Sequence, residues 1–372
     1  MAGFMSGTSL DAVDAALIRT DGERVLEFGA AVERKYTSEE RQVLQQATQA
    51  ARDWNWTGPQ PEAAFSAARR TVVETHVQTW RKLLDTAGLS GATGSSAYPS
   101  LIGVHGQTIL HRRPTPTSIG ATLQLMDGPA LAEQVGLPVV CDFRSADIAA
   151  GGEGAPLAPA YHAALLERLS GGPAVVLNLG GVANITARLS DGSLVAFDTG
   201  PANGPIDEWI EGHDRGTHDV GGAFAAAGHV HEGLLAGLFE HPWFSEPPPK
   251  SLDRYDFNAS MARGLSFEDG AATLTAFSAR AVAAGVANLP EAPERVIACG
   301  GGRHNPVLMR MLSESMTCPV ISAEQAGWRG DSIEAEAFAL LAVRTLRGLP
   351  IGWPMTTGVS APQTGGVVNS VA

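Results

Sequence analysis

The chain has few of the features that mark secreted, membrane-bound or nucleic-acid-binding proteins. It has only three cysteines in 372 residues, far apart and without metal or redox spacing, which favours reduced cytosolic thiols over a disulfide framework. Lysine and arginine number 26 against 39 acidic residues, and a net charge of −13 argues against nucleic acid or an anionic membrane as the main partner. We find no basic and apolar leader and no stretch apolar enough to span a bilayer. We therefore expect a cytoplasmic protein that acts on a small molecule.

The composition that is present suits a folded α/β protein of two domains. The chain is 44% hydrophobic and 17% charged, so a sizeable core is available, and its length exceeds that of a typical single domain. Short apolar strands alternate with amphipathic helices through both halves. We predict an N-terminal domain over residues 1–150, with the tail 349–372 packing on it, and a C-terminal domain over 151–348.

The first fourteen residues contain the most informative turn. A short apolar strand, which begins so close to Met1 that we expect the natural start upstream, enters Gly7-Thr8-Ser9, and the alternation after Asp11 predicts a second strand. Glycine lets a backbone approach an anion closely, and the hydroxyls add donors. No lysine follows, so this is not the loop that feeds a helix in G-x-x-x-x-G-K-[ST] proteins. Asp11 is a candidate contact for Mg²⁺. A plain hairpin turn with nothing bound stays the alternative.

Two further glycine turns repeat this plan in the second half. Residues 178–186 read as strand, turn and strand, and residues 299–305 lead from a strand into a helix. Asp198 ends another strand beside a Gly-Pro turn, where a turn-capping role is the ordinary interpretation. Two halves with such turns predict two α/β domains that flank a nucleotide and substrate cleft.

Eight motifs in order resemble one family. The chain is similar throughout to the bacterial anhydro-N-acetylmuramic acid kinases, which have the actin-like (ribonuclease H-like) fold. The motifs are MSGTSLD (5–11), HGQT (105–108), DFRSADIAAGGEGAPLAP (142–159), NLGGVANIT (178–186), FDTGPAN (197–203), PPPKSLDR (247–254), CGGGRHN (299–305) and DSIEAEAFA (331–339).

The resemblance implies an activity. Such an enzyme uses ATP, with Mg²⁺, and water to open the bridge of 1,6-anhydro-N-acetylmuramic acid and to phosphorylate O6. The products are N-acetylmuramic acid 6-phosphate and ADP, in the cytoplasmic recycling of peptidoglycan sugars. A homodimer is also implied.

The resemblance assigns roles residue by residue. Asp198 is the catalytic acid of the D-T-G-P motif and is expected to act as general base on the water. Arg144 suits the lactyl carboxylate, Glu334 can orient sugar hydroxyls, and His105 joins them as a substrate-binding residue. The expected ATP-binding residues are Gly7, Thr8, Ser9, Leu10, Asp11, Ala12, Val13, Asp14, Gly180, Gly181, Gly300, Gly301, Gly302 and Asn305.

Several positions depart from the family pattern, and alternatives stay open. Ala12 stands where glycine is frequent, Glu153 where glutamine is frequent, and Asp253 replaces the glycine of an S-T-G-R run. By residue type alone, Arg144 could make a surface ion pair and Glu334 could be a solvated helix residue. The alternative functions are a kinase of a different sugar on the same fold and a non-catalytic, nucleotide-binding sensor.

Overall fold

The computed structural model describes residues 1–115, 117–252 and 256–371, and they form two compact units. The first unit comprises Met1–Arg168 and Ser332–Ala372, and the second comprises Leu169–Asp331. The predicted domain boundaries therefore need correction at two places. The first boundary follows residue 168 instead of 150, and the helix near 332–347 belongs to the first unit instead of the second.

The first unit is built on a seven-stranded sheet with the order β12-β6-β4-β1-β2-β3, and β5 pairs with β4. Strands β1, β2 and β3 are antiparallel neighbours, whereas β1, β4 and β6 run parallel. In the C-terminal tail, β12 pairs antiparallel with β6. The strands are β1 (Ala2–Ser6), β2 (Ala12–Thr20), β3 (Val25–Lys35), β4 (Ile102–Arg112), β5 (Ala121–Leu125), β6 (Val139–Cys141) and β12 (Val367–Asn369).

Helices connect and cover these strands. Thr37 is the N-cap of the first helix and forms a capping box with Glu40. The connection from β3 to β4 contains two long helices. Such a long crossover is needed because β3 and β4 run in the same direction. The helices are α1 (Ser38–Trp54), α2 (Glu62–Thr86), α3 (Gly128–Val135), α4 (Ser145–Ala149), α5 (Pro159–Leu166) and α11 (Ile333–Leu346).

The second unit has a five-stranded sheet with the order β11-β10-β7-β8-β9. Short 3₁₀ turns accompany its helices. Its strands are β7 (Ala174–Leu179), β8 (Val182–Arg188), β9 (Leu194–Pro201), β10 (Arg295–Cys299) and β11 (Val320–Ser322). Its helices are α6 (Asn203–Gly212), α7 (Ala223–Ala227), α8 (Glu232–Leu238), α9 (Phe267–Ala287) and α10 (Pro306–Ser315).

Both units share one topology. In each, the first three strands form an antiparallel meander, and two later strands add in parallel beside the first. The path β6-β4-β1-β2-β3 in the first unit matches β11-β10-β7-β8-β9 in the second, strand for strand. The glycine turns at residues 7–10 and 180–181 consequently occupy equivalent places, between the first two strands of each sheet.

Helix α11 explains the correction of the domain boundary. It packs mainly on β1, β2 and β4 of the first sheet. Gly3 and Gly103 make this packing possible, because a Cβ at either residue would lie 1.9 Å from the Ala335 carbonyl oxygen or 2.0 Å from the Phe338 carbonyl oxygen. The helix backbone thus touches the sheet directly, although more than 200 residues separate the two along the chain.

Helix α9 corrects one expectation from the sequence. Among the described residues, this helix alone is long and apolar enough to cross a membrane, with a mean hydropathy of 1.2 in its most apolar window. However, 78% of that window is buried within the protein. Ala279 and Val282 pack with the inner face of the second sheet, so α9 is a core helix of this unit.

Three histidines are buried in the first unit. His76, His105 and His162 are 0%, 5% and 3% exposed. Burial is the largest cause of a lowered pKa for each: about 4 for His76, about 3 for His105 and about 4 for His162. All three are therefore neutral in the folded protein under conditions that would protonate them in the unfolded chain.

We expect acid to destabilise the first unit through these residues. The contribution of these neutral histidines to the free energy of unfolding is fully present above pH 6.5, the usual pKa of histidine. It is lost as the pH falls towards 4, by about 1.4 kcal/mol per pH unit for each histidine. Urea denaturation at several pH values between 7 and 5 measures this loss. In His76→Gln, which keeps a donor for the Val72 carbonyl, the slope should shrink by roughly a third. An equal slope in the variant would contradict the assignment.

Candidate active-site residues in each unit

The loop between β1 and β2 is a tight turn that exposes two hydroxyls. The Leu10 N–H donates to the Gly7 carbonyl at 3.3 Å, and Leu10 has a φ of 57°. Its side chain is buried, whereas Thr8 and Ser9 are exposed. The turn therefore presents hydroxyls and backbone to solvent while the leucine anchors it to the core near α1 and α2.

The eight residues predicted to bind phosphate divide into two groups. Leu10, Ala12 and Val13 have buried side chains, so only their backbone atoms can meet a ligand. Asp11 is exposed and lies 3.5 Å from the Arg41 guanidinium. Asp14 is half-buried in β2. The Cβ that Ala12 adds where the family frequently has glycine is buried, so it does not reach a ligand at the surface of the turn.

Asp11 fits the modest demand that Mg²⁺ makes of a protein. Magnesium takes oxygen ligands and is usually held by one or two carboxylates together with phosphates and water. An exposed carboxylate beside two hydroxyls supplies such donors. No cluster of three or more histidine, cysteine, aspartate or glutamate residues is found in the described ranges 1–115, 117–252 and 256–371.

The H-G-Q-T segment at 105–108 is hydrogen-bonded to the end of β1 and to the turn at residues 7–10. The Gln107 side chain donates to the Gly7 carbonyl at 3.0 Å, and the Ser6 hydroxyl donates to the Gly106 carbonyl at 3.0 Å. The His105 Nδ1 lies 3.1 Å from the Ser6 carbonyl oxygen. Strand β4 thus fixes the point at which β1 ends and the loop begins.

His105 also contacts Arg144, and this pair defines its tautomer. Arg144 Nη2 lies 2.9 Å from His105 Nε2. Because a guanidinium only donates, Nε2 accepts and the proton sits on Nδ1, which donates to the Ser6 carbonyl. Burial and the Arg144 charge together keep the pKa of His105 near 3. Both nitrogens are occupied by protein, so the structure favours a positioning role for His105 over the direct substrate contact predicted from the sequence.

Arg144 and Glu334 come together in the first unit. Arg144 Nη1 donates to the Gly154 carbonyl at 2.6 Å, while its Nε is buried without a hydrogen-bond partner among the described residues. Burial lowers the pKa of Arg144 to about 10, and the charges of Glu334 and Asp147 oppose this. The protein around Glu334 partly desolvates its carboxyl and raises its pKa, and the Arg144 charge opposes that rise, although the side chain is exposed. Arg144 is half-buried and bonded to protein groups, so the structure does not favour a surface ion pair for it. Glu334 is exposed, so its alternative as a solvated helix residue stays open.

Asp147 is a residue of this site that sequence reasoning missed. It is fully buried, and its carboxylate accepts from the Gly154 N–H at 2.7 Å and from the Thr357 hydroxyl at 2.6 Å. Burial raises the pKa of Asp147, although these hydrogen bonds counteract it. Asp147 thereby holds the glycine loop whose carbonyl receives Arg144. An aspartate inside an otherwise apolar helical segment, three residues after Arg144, is the signal that could have found it.

Asp198 lies in β9 of the second unit and is held by a following loop. Its N–H donates to the Lys250 carbonyl at 2.9 Å, and its Oδ2 accepts from the Leu252 N–H at 2.7 Å. Lys250 is itself fixed, since its ammonium donates to the Trp243 carbonyl at 2.9 Å and lies over the Trp243 ring. Asp253, which departs from the family pattern, lies outside the described residues.

The second unit also contains a cavity of about 430 Å³. This size suits a small organic ligand such as a nucleoside. The Gly-rich turn after β10 and the start of α6 form much of its wall. Its lining residues are Asn203, Ile206, Asp207, His218, Asp219, Val220, Gly221, Gly301, Gly302, His304 and Asn305.

The cavity brings together three of the six second-unit residues predicted to bind ATP. Gly301, Gly302 and Asn305 line it, and the Asn305 side chain also caps α10 by accepting from two backbone N–H groups. The turn at residues 180–181 lies behind the lining, where its carbonyls accept from N–H groups at the start of α6. Gly300 supports the turn: its φ is 76°, and a Cβ there would meet the Asn178 side-chain oxygen at 2.4 Å.

The remaining lining residues were not predicted as site residues. His304 belongs to the Gly-rich turn itself, and the others come from α6 and from residues 218–221, which have no strand-turn pattern of their own. The sequence shows GHDRGTHDVGG there, a composition that indicates only a loop. Their membership in one cavity depends on long-range packing of α6 and α10, which local patterns do not report.

The topology and these residues define a class. Two ribonuclease H-like units in one chain, each with a glycine turn between its first two strands, are the actin-like α/β fold. The family model for anhydro-N-acetylmuramic acid kinase matches residues 1–370. The chain therefore belongs to the anhydro-N-acetylmuramic acid kinase family.

Individual relatives agree with this assignment. The chain is 53% identical over 366 residues to the anhydro-N-acetylmuramic acid kinase of Caulobacter vibrioides, covering 98% of this chain and 97% of that protein. It is 50% identical over 366 residues to the enzyme of the same name from Phenylobacterium zucineum, with the same coverage. Among solved structures, (R)-2-hydroxyglutaryl-CoA dehydratase component A of Acidaminococcus fermentans has a TM-score of 0.47 and 12% identity, covering 93% of this chain and 98% of that one.

The glycine turn of the cavity provides a stability prediction. A Cβ at Gly302 would lie 2.7 Å from the Leu179 Cβ, whereas one at Gly301 would meet nothing within 4 Å. We expect Gly302→Ala to lower the free energy of unfolding by about 1–3 kcal/mol, the usual cost of overpacking. Gly301→Ala should leave it unchanged, so the pair controls for the substitution itself. Chemical denaturation of both variants measures the difference, and equal stability would contradict the packing described here.

Proposed function

We propose that this protein is an ATP-dependent kinase that opens 1,6-anhydro-N-acetylmuramic acid with water and phosphorylates O6, which produces N-acetylmuramic acid 6-phosphate and ADP. The observation that carries the proposal is the family match over residues 1–370. The presence of Asp198, Arg144 and Glu334 at the matching motif positions supports the proposal further. We also propose that this reaction takes place in the cytoplasm and serves the recycling of cell-wall sugars. The homodimer implied by the resemblance stays a prediction.

Asp198 is the proposed general base. Water attacks C1 of the sugar, the bond between C1 and O6 breaks, and Asp198 takes the proton that the water loses. O6 takes the γ-phosphoryl group, and ADP leaves. The Leu252 N–H on Oδ2 fixes the orientation of the carboxylate. Since O6 is captured by phosphorus, no separate general acid is required for this leaving oxygen.

Arg144 and Glu334 are the proposed sugar-binding pair. A guanidinium recognises a carboxylate by paired, charge-assisted hydrogen bonds, which suits the lactyl group of the muramic acid. Glu334 is exposed in the first turn of α11, so its carboxylate can accept hydrogen bonds from sugar hydroxyls. His105 and Asp147 hold Arg144 and its loop in place, so we assign them to positioning.

The phosphate-binding role belongs to the turn at residues 7–10, and the nucleoside role to the 430 Å³ cavity. Thr8 and Ser9 offer hydroxyls, and the turn offers backbone N–H groups, to the phosphates. Asp11 would hold Mg²⁺, which when bound supplies positive charge to the phosphoryl group. The glycines of the cavity let a nucleoside lie against bare backbone.

One experiment tests the whole proposal. The purified protein is incubated with ATP, Mg²⁺ and the anhydro sugar in ¹⁸O-labelled water, and the products are analysed by mass spectrometry. We expect ADP and a sugar phosphate with one ¹⁸O at C1. A phosphorylated sugar without label would exclude the hydrolytic step. ADP without sugar phosphate would exclude the sugar kinase activity.

For the base, we expect Asp198→Asn to fold normally and to lose turnover by about 10²- to 10⁴-fold. The amide oxygen can still accept from the Leu252 N–H, so this hydrogen bond is kept while the basic group is lost. Steady-state kinetics and thermal unfolding measure the two effects. Asp191→Asn, at an exposed turn of the same unit, is the control and should keep wild-type turnover. Wild-type turnover in Asp198→Asn would exclude it as the base.

For the sugar site, we expect Arg144→Lys to raise the KM for the sugar by about 10- to 100-fold, the worth of a charge-assisted hydrogen bond. The KM for ATP should change little. The control is Arg19→Lys, in an exposed pair with Glu27. With 1,6-anhydro-N-acetylglucosamine, which lacks the lactyl carboxylate, wild type and variant should differ much less. An equal loss on both sugars would contradict recognition of the carboxylate by Arg144.

A further inference from the structure

Arg303 lies inside the glycine turn of the cavity but does not line it. Its neighbours Gly301, Gly302, His304 and Asn305 do. The Arg303 side chain is only 2% exposed. It turns back under the loop, where Nη1 donates to the Gly300 carbonyl at 2.9 Å. The guanidinium is therefore tied to the first residue of the turn to which it belongs.

The carboxylates of Glu324 and Asp331 neutralise the positive charge of the buried Arg303 guanidinium. Glu324 Oε1 accepts from Nη2 at 2.8 Å and from Nε at 3.0 Å, and Asp331 Oδ2 lies 2.8 Å from Nη2. Burial alone would lower the pKa of Arg303, but hydrogen bonds and charges from Asp331 and Glu324 outweigh it and raise that pKa. The guanidinium thus stays charged and has a partner on each side.

Close packing at Gly330 and Gly300 restricts the Arg303 guanidinium to one position. A Cβ at Gly330 would lie 2.4 Å from Arg303 Nε, so the chain passes the side chain at the closest distance that a glycine allows. Gly300, at the other end, has a φ of 76° and lies against Asn178 and Leu179. A planar fork with several donors fills this site, whereas a lysine ammonium could reach only part of the acceptors.

We propose that Arg303 is a positioning residue that holds the Gly300–Gly302 turn in the shape that receives the nucleotide. It joins the turn to the segment from Glu324 to Asp331 without touching the ligand. This inference rests on the proposed function, because it requires that the cavity receive a nucleotide. Nucleotide affinity should accordingly depend on Arg303, while the sugar site should not.

The test compares nucleotide binding and kinetics in Arg303→Gln and Arg303→Lys. Isothermal titration calorimetry with ADP and a non-hydrolysable ATP analogue gives the affinity without turnover. We expect about a 10-fold weaker affinity for Arg303→Gln, a smaller loss for Arg303→Lys, and a matching rise in the KM for ATP. The KM for the sugar should change less than twofold. Arg310→Gln, in an exposed pair with Glu314 on α10, is the matched control and should bind normally.

The outcomes separate the two hypotheses. If the wild-type protein binds neither nucleotide, the proposed function itself fails. If the wild type binds and Arg303→Gln binds equally well, the role of Arg303 alone is wrong. A variant in which both KM values rise while turnover and thermal stability fall would show a merely structural role and would overturn the inference.

The carboxylates provide a second route that does not depend on a stable Arg303 variant. Glu324→Gln and Asp331→Asn should each weaken nucleotide binding slightly, since one carboxylate remains on the guanidinium. Their combination should weaken binding by more than the product of the single effects. In the background of Arg303→Gln, the same substitutions should have no further effect on nucleotide affinity. Unchanged affinity in the double variant would also overturn the inference.

Discussion

The structure of the first unit depends on the direct contact between helix α11 and the sheet beneath it. At Gly3 of β1 and Gly103 of β4, the helix carbonyls of Ala335 and Phe338 occupy the space that a side chain would fill. Helices usually pack on sheets through side chains, and an alanine at either glycine would drive the two elements apart. Small residues on the helix, such as Ala339, complete this contact. Because the backbones touch, the position of α11 along the strands has little freedom.

This contact matters for the site because both elements carry candidate residues at their ends. Strand β1 continues into the turn that begins at Gly7, and the first turn of α11 carries Glu334. Strand β4 adds His105, whose ring holds both the end of β1 and the guanidinium of Arg144. The turn proposed to bind phosphate and the pair proposed to bind the sugar are thus attached to one packed group of elements. A site built in this way keeps its geometry better than one carried by loops alone.

The sequence predicted the local features well and the long-range ones poorly, for a physical reason. The turns at residues 7–10 and 180–181, the strands beside them and most helices follow from alternation and turn residues, which act over a few positions. The boundary at 168 and the placement of α11 depend on contacts between distant segments, and no local pattern reports them. The hydrogen bond between Asp147 and Thr357 is also long-range, since 210 residues separate them, and only the place of Asp147 in an apolar helical segment is a local signal. The expected cleft between the domains stays a prediction.

A motif identifies a segment and not the atoms that do the chemistry, and the candidate site illustrates this. Within residues 7–14, Leu10 and Val13 anchor the turn to the core, so their place in the motif reflects the shape of the backbone. His105 and Arg303 belong to motifs as well, yet both hold neighbouring groups through buried hydrogen bonds. Burying a polar or charged group costs free energy unless it is hydrogen-bonded, which ties His105 and Arg303 to the arrangement of their partners. The exposed residues of a motif can therefore meet a ligand, while the buried ones determine where those residues stand.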